Sequence, residues 1–453
     1  MVETSRETRI AERLKLLANA LESGRLGPVR RLINTLTPAE IANLLESLPP
    51  AKREVVWGLV DPSDDGEVLV HVNDEVRESL LRGMDDDEIV AAAGSLELDD
   101  LAELIDDLPA TVVDQLLKSM DRLHRDRLEH MLAYPEGTAG RLMNTDVVTV
   151  RANVSVDVVL RYLRLRGELP ESTDTLYVVS RRGTHLGQLR LARLLTADPD
   201  TPLNRIMDEN LAAIRADTSE DQVAELFADH DWYSAPVVDA NNVLLGRITI
   251  DDVVDIIRAQ AEHQVYGAAG LDEEEDLFAP VRRSARRRAI WLGINLLTAF
   301  FASWVIGNFE PVLQKVVATA VLMPIVASMG GIAGTQTLTI MVRALALGQV
   351  GFTNALPLLR KEVLVGIANG VLWALVVGSL SWLVFHDSML SLAFGAAMII
   401  NLLAASLSGV YIPLILKRIG VDPALAGGVI LTTVTDSCGF ASFLALSTLL
   451  LLH

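Results

Sequence analysis

Residues 423–453 read PALAGGVILTTVTDSCGFASFLALSTLLLLH, and this stretch decides which class of protein the chain belongs to. It is long enough to cross a lipid bilayer, because about 20 apolar residues span the hydrocarbon layer. Its one charged residue, Asp436, lies 13 residues beyond Pro423 and therefore near the middle of the membrane. An ionised carboxylate at that depth costs roughly 2.5 to 3.5 kcal/mol, which makes Asp436 a candidate functional residue.

The residues around Asp436 predict a cation site. No Lys, Arg or His lies in the interior of the predicted spans, so the counter-charge is a transported cation or a proton. Thr432 and Thr433 supply hydroxyl oxygens nearby. Oxygen ligands favour hard ions such as Mg2+, and two subunits meeting on a two-fold axis would place two Asp436 carboxylates around one hydrated divalent ion. A protonated, purely structural aspartate is the alternative.

Four further charge-free stretches precede this one, so the sequence predicts a membrane bundle of five helices. They are Ala289–Gly307, Val316–Val342, Val363–His386 and Ser388–Leu416. If the N-terminal side faces the cytosol, ten Lys and Arg flank the spans on that side and only Lys315 on the other. Because cytoplasmic flanks carry the excess of basic residues, we expect a plasma (inner) membrane protein with its C-terminus on the outer face. The cluster Arg282–Arg288 is a topology anchor, part of an amphipathic surface helix over about residues 278–288, or both.

The second span contains a glycine-rich run. Gly330, Gly331 and Gly334 follow Pro324, and Gln336 comes next. Irregular or polar stretches in a membrane are tolerated where they face protein or a watery cavity, so these four residues are candidates for lining a pore. The alternative is close helix packing, because Gly330 and Gly334 form a pair of small residues four positions apart.

The charge distribution separates the chain into two parts. Residues 1–280 hold 28 basic and 54 acidic residues, whereas residues 281–453 hold 11 and 5. The acidic part repels nucleic acid and anionic lipid, so its expected partners are cations or basic surfaces and not nucleic acid.

The single cysteine, Cys438, excludes an intrachain disulfide, which fits a reducing compartment. Met1–Leu14 has no apolar core, so we expect no secretory signal there.

The first part of the chain, up to about Leu132, has a repeating helical pattern. Leu36–Pro49 and Leu96–Pro109 resemble one another at an offset of 60 residues, which predicts an all-α superhelical domain built from helix pairs. The acidic groups at Asp85–Asp87 and at Asp99-Asp100 are interpreted as solvated faces and helix N-caps. A cation-sensing role for them is the alternative.

A second repeat, at an offset of 64 residues, predicts two α/β modules packed as a pair. The pattern that begins at Leu142-Met143 recurs at Ile206-Met207, and each copy continues into a helix and a strand-like run. Residues 203–260, with SAPVVD at 234–239 and GRITIDD at 246–252, resemble a CBS domain, and residues 140–200 resemble its partner.

The CBS resemblance implies at most one nucleotide site. In that family a Thr and an Asp three residues later often hold a ribose hydroxyl of an adenine nucleotide such as ATP, and Thr249 and Asp252 match these positions. The first copy carries Arg190 and Arg193 there. A purely structural pair of modules is the alternative.

The membrane half is similar to that of MgtE-type magnesium channels and transporters. The shared motifs are FE at 309–310, GG at 330–331, GTQ at 334–336, RALA at 343–346, KE at 361–362, DPA at 422–424 and TD at 435–436. The order of domains is also that of the family. We therefore predict a helical domain over 1–135, CBS modules over 136–200 and 201–262, a linker and connecting helix over 263–288, and a five-span pore domain over 289–453.

This resemblance implies a homodimer in a lipid bilayer with its pore on the two-fold axis. Asp436 takes the place of the pore aspartate that holds hydrated Mg2+. In the family, cytosolic Mg2+ also bridges acidic residues of the CBS modules, the connecting helix and the loop before the last span, and this closes the channel. The residues of this chain that match the pattern are Asp251, Asp252, Asp255 and Asp422.

Two departures from the family pattern leave details of selectivity and gating open. Ile332 stands where the family usually has Asn, which removes a side-chain amide near the pore. Arg258, Ala259 and Gln260 stand where the family often has several Glu, so gating by Mg2+ either is weaker or uses other carboxylates such as Glu273–Glu275.

The function that these observations predict is Mg2+-selective import gated by cytosolic Mg2+, through a channel or a coupled carrier. The alternative is a broader divalent route that also takes Co2+ or Mn2+, with weak feedback. An intramembrane aspartyl hydrolase needs two facing carboxylates. Only Asp436 lies deep in a span, and Glu310, Glu362, Asp387 and Asp422 are all predicted in loops, so we predict that the protein is not an enzyme.

Overall fold

A computed structural model describes residues 26–170, 172–209, 212–271, 275–351 and 354–451. The chain forms two compact units, one from Met1–Gln260 with Glu274–Ala279 and the other from Ala261–Glu273 with Pro280–His453. The predictions for Met1–Leu14 and for Glu273 and Glu274 lie outside the described residues.

The first unit begins with an all-α domain, as predicted. Its helices are α1 (Leu26–Ile33), α2 (Pro38–Glu46), α3 (Pro50–Trp57), α4 (Asp65–His71), α5 (Asp74–Leu81), α6 (Asp86–Ala93), α7 (Leu98–Leu104), α8 (Ala110–Ser119), α9 (Arg122–Leu132) and α10 (Ala139–Leu142). These helices are short, so most of their stability comes from burying one apolar face against neighbouring helices.

Helix α2 shows how local sequence sets these boundaries. Thr37 caps its N-terminus, because the Thr37 hydroxyl accepts from Glu40 N while Glu40 Oε2 accepts from Thr37 N. Ile41 and Leu45, four residues apart, then share the buried face. Asp85 forms the same reciprocal cap with Glu88 at the start of α6 and is exposed, which confirms the interpretation of Asp85 as a solvated N-cap.

Two three-stranded sheets follow, with the same topology in each copy of the second repeat. The first module contains β1 (Thr149–Val150), α11 (Val156–Arg166), β2 (Thr175–Val179), β3 (His185–Arg190) and α12 (Leu191–Thr196). The second contains β4 (Ile214–Arg215), α13 (Glu220–His230), β5 (Ser234–Val238) and β6 (Leu244–Thr249). In both sheets the first strand runs parallel and the third antiparallel to the central strand. The predicted pair of α/β modules is therefore confirmed.

Helix α14 (Ile250–Ala268) leaves the second module, and the chain then returns to the first unit at a buried ion pair. Both Oδ atoms of Asp276 accept hydrogen bonds from the Arg53 guanidinium, at 2.8 and 2.9 Å. The same guanidinium donates to the carbonyls of Leu45 and Leu48, and Asp276 N donates to Glu75 Oε2. The segment just before the first membrane helix is thus fixed to the helical domain.

The second unit contains α15 (Val281–Gly307), α16 (Glu310–Lys315), α17 (Val317–Ala346), α18 (Ala355–Phe385), α19 (Ser388–Arg418) and α20 (Pro423–Leu451). In the described part of the chain, five of these helices, all except α16, are long and apolar enough to cross a membrane, as the sequence predicted. Helix α19 is the most buried of the five and packs against α17, α18 and α20.

Two features of the second unit differ from the sequence-based expectation. The basic cluster forms the first turns of α15, which continues without a break into the first span, so residues 281–288 are not a separate amphipathic helix. Glu310 and Glu362 were expected in loops, but Glu310 begins α16 and Glu362 lies in the second turn of α18, where it is buried. The run Arg360-Lys361-Glu362 suggested a loop because it precedes the charge-free stretch Val363–His386, whereas the helix already begins at Ala355.

Candidate functional site

Asp436 lies in the middle of α20 and is half-buried. Within the described residues its carboxylate accepts no hydrogen bond and forms no ion pair. Thr432 and Gly428 lie one and two turns before it on the same face of the helix. A side-chain atom added at Gly428 would meet nothing within 4 Å, and Thr432 is exposed, so this face of α20 is open.

The threonine hydroxyls of α20 are oriented by the helix backbone. Thr432 Oγ1 donates to Gly428 O at 2.9 Å, and Thr433 Oγ1 donates to Val429 O at 2.7 Å. Because each hydroxyl proton is donated to the backbone four residues earlier, each oxygen offers only its lone pairs to another group. Thr432 therefore presents an acceptor beside the Asp436 carboxylate, which suits a cation or its bound waters.

The glycines of α17 lie in helix contacts. A Cβ at Gly330 would lie 2.2 Å from Asn401 Nδ2 on α19, and one at Gly334 would lie 3.0 Å from a Leu431 methyl on α20. Both glycines are buried. Packing, which the sequence offered as the alternative to pore lining, accounts for these two residues. Gly331 is half-buried, and a Cβ added there would have only the Thr435 hydroxyl near it, at 4.0 Å.

Asn401 was not identified from the sequence. It is fully buried among the membrane helices, and its Nδ2 donates to Val326 O at 2.7 Å. Gly330 and Gly439 both leave room for its side chain. The signal available in the sequence was a lone amide in a charge-free span, which by itself does not indicate which neighbouring helix it contacts.

Substituting Gly330 with Ala is expected to destabilise the membrane unit, because the new methyl would displace the buried Asn401 amide. We expect a loss on the order of 1 to 3 kcal/mol, the usual cost of overpacking. Gly331→Ala is the matched control, since nothing lies closer than 4.0 Å to the added atom. Thermal unfolding of the two purified variants measures the difference, and equal stability of both would contradict the packing role of Gly330.

The structure places Gln336 away from the contacts that Gly331 and Gly334 make with α20. Gln336 lines a cavity of about 190 Å³ together with Thr337 on its own helix, and with Glu362, Asn369 and Ser406 from α18 and α19. Thr337 Oγ1 lies 3.1 Å from Glu362 Oε2. This cavity brings together polar side chains that the sequence had not associated.

A second group of acidic residues comes together in the first unit. Asp252 lies in the first turn of α14, and its Oδ2 accepts from Thr249 N and Thr249 Oγ1, both at 3.1 Å. Thr249 and Asp252 are therefore paired with each other at the junction of β6 and α14. Asp99 and Asp100, at the start of α7, lie close enough to Asp252 for its charge to act on both.

This crowding changes the protonation of the carboxyls. Burial and the nearby charge of Asp252 raise the pKa of Asp99 to about 8. Burial, Glu67 and Asp252 raise the pKa of Asp100 to about 7. Burial, with a further contribution from Asp251, raises the pKa of Asp252 to about 6. Asp99 and Asp100 are half-buried near Asp252 of the second module, so they are not the fully solvated residues that the sequence suggested.

The remaining predicted sensor residues are arranged differently. Asp251 and Asp255 are exposed on α14. Asp422 belongs to the second unit, where its Oδ2 lies 2.7 Å from His263 Nε2. Across the described ranges, no group of three or more His, Cys, Asp and Glu side chains is arranged to hold a metal ion directly. Mg2+ commonly keeps several waters and takes only one or two carboxylates, so this finding is compatible with a hydrated ion.

Three family models match this chain. The first, described as divalent cation transporter, matches residues 323–446. The second, the MgtE intracellular N domain, matches residues 36–137, and the third, the CBS domain, matches residues 203–259.

Two relatives are similar over almost the whole length. The magnesium transporter MgtE of Thermus thermophilus is 32% identical over 442 residues, which are 96% of this chain and 98% of that protein. The magnesium transporter MgtE of Bacillus subtilis is 27% identical and covers 94% of this chain and 95% of its own length. A crystal structure of the cytosolic domain of the Mg2+ channel MgtE with ATP covers 53% of this chain and 98% of that chain, at 33% identity and a TM-score of 0.48.

Proposed function

The chain belongs to the MgtE family of magnesium transporters, and we propose that it imports Mg2+ across the plasma membrane through its five-helix unit. The observation that supports this most directly is Asp436, a mid-span carboxylate without a partner among the described residues. The open face of α20 that it shares with Thr432 offers carboxylate and hydroxyl oxygens, which are ligands for a hard cation. Mg2+ is here the transported substrate.

A homodimer with the pore on its two-fold axis makes this site complete. One Asp436 carboxylate compensates half of the charge of a divalent ion, whereas two related by symmetry compensate all of it. The large number of exposed apolar side chains on the membrane helices is consistent with contacts to lipid and to a second copy. We propose that the first unit lies in the cytosol and the C-terminus on the outer face, because cytoplasmic flanks carry the excess of basic residues.

Uptake of Mg2+ by proteoliposomes containing the full-length protein tests the proposed function. Competing Co2+ and Mn2+ distinguish a Mg2+-selective route from a broader divalent one. Ile332 bears on this choice, because it stands next to Gly331 and is 56% exposed in one protomer, without an amide to hold a hydrated ion. Absence of Mg2+ uptake would contradict the proposal, and competition by Co2+ and Mn2+ as strong as that by unlabelled Mg2+ would favour the broader alternative.

We further propose that cytosolic Mg2+ regulates transport through the acidic cluster of Asp99, Asp100 and Asp252, together with the nearby exposed Asp251 and Asp255. These carboxyls belong to two different domains of the first unit, the helical domain and the second CBS module. Their crowding makes the fully ionised state unfavourable, so a divalent cation that neutralises them would hold the two domains together.

The stability of the first unit is expected to depend on both pH and Mg2+. Because the folded state raises these pKa values, the folded carboxyls retain protons that an unfolded chain would release. Without divalent cations the unit should therefore lose stability as the pH rises from about 6 to about 8, by on the order of 2 kcal/mol. Millimolar Mg2+ should restore this stability and should act more strongly at pH 8 than at pH 6, where protons compete. Limited proteolysis of the full-length protein measures the effect.

Asp99→Asn is expected to stabilise the unit without Mg2+ and to reduce the protection that Mg2+ gives. Asp86→Asn is the control, because Asp86 is an exposed residue in the first turn of α6. Identical protection by Mg2+ in wild type and Asp99→Asn would contradict a sensor at this cluster.

Adenine nucleotide binding at the second CBS module is a further part of the proposal. Thr249 is buried and already paired with Asp252 at the start of α14, so both residues are held in position. A ribose hydroxyl would compete with Thr249 for the Asp252 carboxylate, so nucleotide and Mg2+ would share one ligand. Equilibrium dialysis with labelled ATP measures this binding.

A further inference from the structure

The second unit contains a buried carboxylate that the proposed pore does not use. Glu362, in the second turn of α18, is 4% exposed. Its Oε2 accepts one hydrogen bond from Thr337, and its Oε1 lies 3.5 Å from the Lys361 ammonium. The Lys361 side chain is 64% exposed. An ionised carboxylate in a membrane helix costs free energy unless a positive charge compensates it. An ammonium on a side chain as exposed as that of Lys361 compensates the Glu362 carboxylate only in part.

The cavity next to Glu362 is lined by oxygen-bearing side chains. Its volume is about 190 Å³, and its polar lining includes Gln336, Asn369 and Ser406. Ser406 is only 5% exposed, and its hydroxyl has no partner among the described residues. A Cβ at Gly366, one turn after Glu362, would lie 2.4 Å from Ser406 Oγ, so the glycine allows this hydroxyl to approach the same face of α18. Thr337, Glu362 and Ser406 therefore bring three oxygen-bearing side chains to one cavity.

The donor set determines the kind of ligand. Apart from Lys361, the cavity offers a carboxylate, two hydroxyls and two amide oxygens, and hard cations bind such oxygens. One carboxylate balances one positive charge. A divalent ion would leave an uncompensated charge inside the membrane unit, whereas a monovalent ion would leave none.

We propose that this cavity binds a monovalent hard cation such as Na+ at Glu362, in exchange for the Lys361 ammonium. Lys361 has a flexible stem and an exposed side chain, so it leaves the carboxylate when a cation enters. Thr337 and Ser406 then supply hydroxyl oxygens, while the larger part of the cavity holds water. The site is separate from Asp436, because Thr337 contacts α18 whereas Gly331 and Gly334 face α20.

The test is thermal unfolding of the full-length protein in lipid nanodiscs, without Mg2+, with Na+ replaced by N-methylglucamine at constant ionic strength. Wild type should be stabilised by Na+ in a saturable manner. Glu362→Gln should abolish this response, and Asp436→Asn should retain it. Lys361→Met should bind Na+ at least several-fold more tightly, because it removes the competing ammonium; a purely structural role of Glu362 would not produce this opposite effect.

If Glu362→Gln does not fold, Ser406→Ala provides the second test of the site. The Ser406→Ala variant should bind Na+ several-fold more weakly than wild type. The proposal is overturned if N-methylglucamine stabilises as well as Na+, if only protons or Mg2+ stabilise, or if the response is lost in Asp436→Asn while remaining intact in Ser406→Ala and Lys361→Met.

Discussion

Asp436→Asn is expected to reduce Mg2+ uptake on the order of 100-fold, while the protein still inserts into the membrane and dimerises. The substitution keeps the shape of the side chain and removes its charge, so only the electrostatic contribution changes. A carboxylate and a cation about 4 Å apart interact by about 4 kcal/mol at an effective dielectric constant of about 20, and hydration of the ion reduces this value. A loss of about 3 kcal/mol already corresponds to roughly 100-fold.

The measurement is the initial rate of Mg2+ uptake by proteoliposomes that contain equal amounts of each variant. Asp436→Glu keeps the charge and should retain part of the uptake. Asp387→Asn is the control for loss of an acidic residue elsewhere, because Asp387 caps the exposed start of α19 and Asn caps equally well. Uptake by Asp436→Asn at the wild-type rate would remove Asp436 from the pore.

The second large effect is a loss of folding stability, which we expect when Arg53 is substituted. Its guanidinium is 1% exposed and holds the Asp276 carboxylate, which is 7% exposed, by two hydrogen bonds. Arg53→Met leaves that carboxylate buried and unpaired, and it also leaves the carbonyls of Leu45 and Leu48 without this donor. Breaking a buried pair from one side typically costs about 3 to 5 kcal/mol.

Urea unfolding of the full-length protein, followed by proteolysis of the first unit, measures this loss. Arg82→Met is the control, because Arg82 pairs with Glu78 on an exposed helix face, where such pairs contribute less than about 1 kcal/mol. The double variant Arg53→Met with Asp276→Leu should recover much of the stability, since it removes the orphaned charge. A loss in Arg53→Met no larger than that in Arg82→Met would show that the pair contributes little.

The sequence predicted those features that depend on local pattern. Five spans follow from charge-free stretches, the paired modules follow from a repeat, and Asp436 is conspicuous because it is a lone charge in an apolar segment. Each of these signals lies within a few tens of residues, so no knowledge of tertiary contacts is needed.

The features that the sequence did not indicate are those that depend on distant partners. Asp99 looks like a solvated helix start until Asp252, about 150 residues later in the chain, is placed against it. Arg53 meets Asp276 across 223 positions. Glu362 sits beside Arg360 and Lys361 in the sequence and resembles a loop residue, but the fold buries it under Thr337. Periodicity shows which residues share a face, whereas the element that covers this face is a property of the whole fold.

The Arg53–Asp276 pair also limits the mechanical freedom of the chain. Helix α15 begins at Val281, five residues after Asp276, and five fully extended residues reach at most about 17 Å. While the pair holds, only this short segment therefore connects the helical domain to the start of the first membrane helix. The Arg53–Asp276 pair thereby anchors the chain to the helical domain only a few residues before the first membrane helix begins.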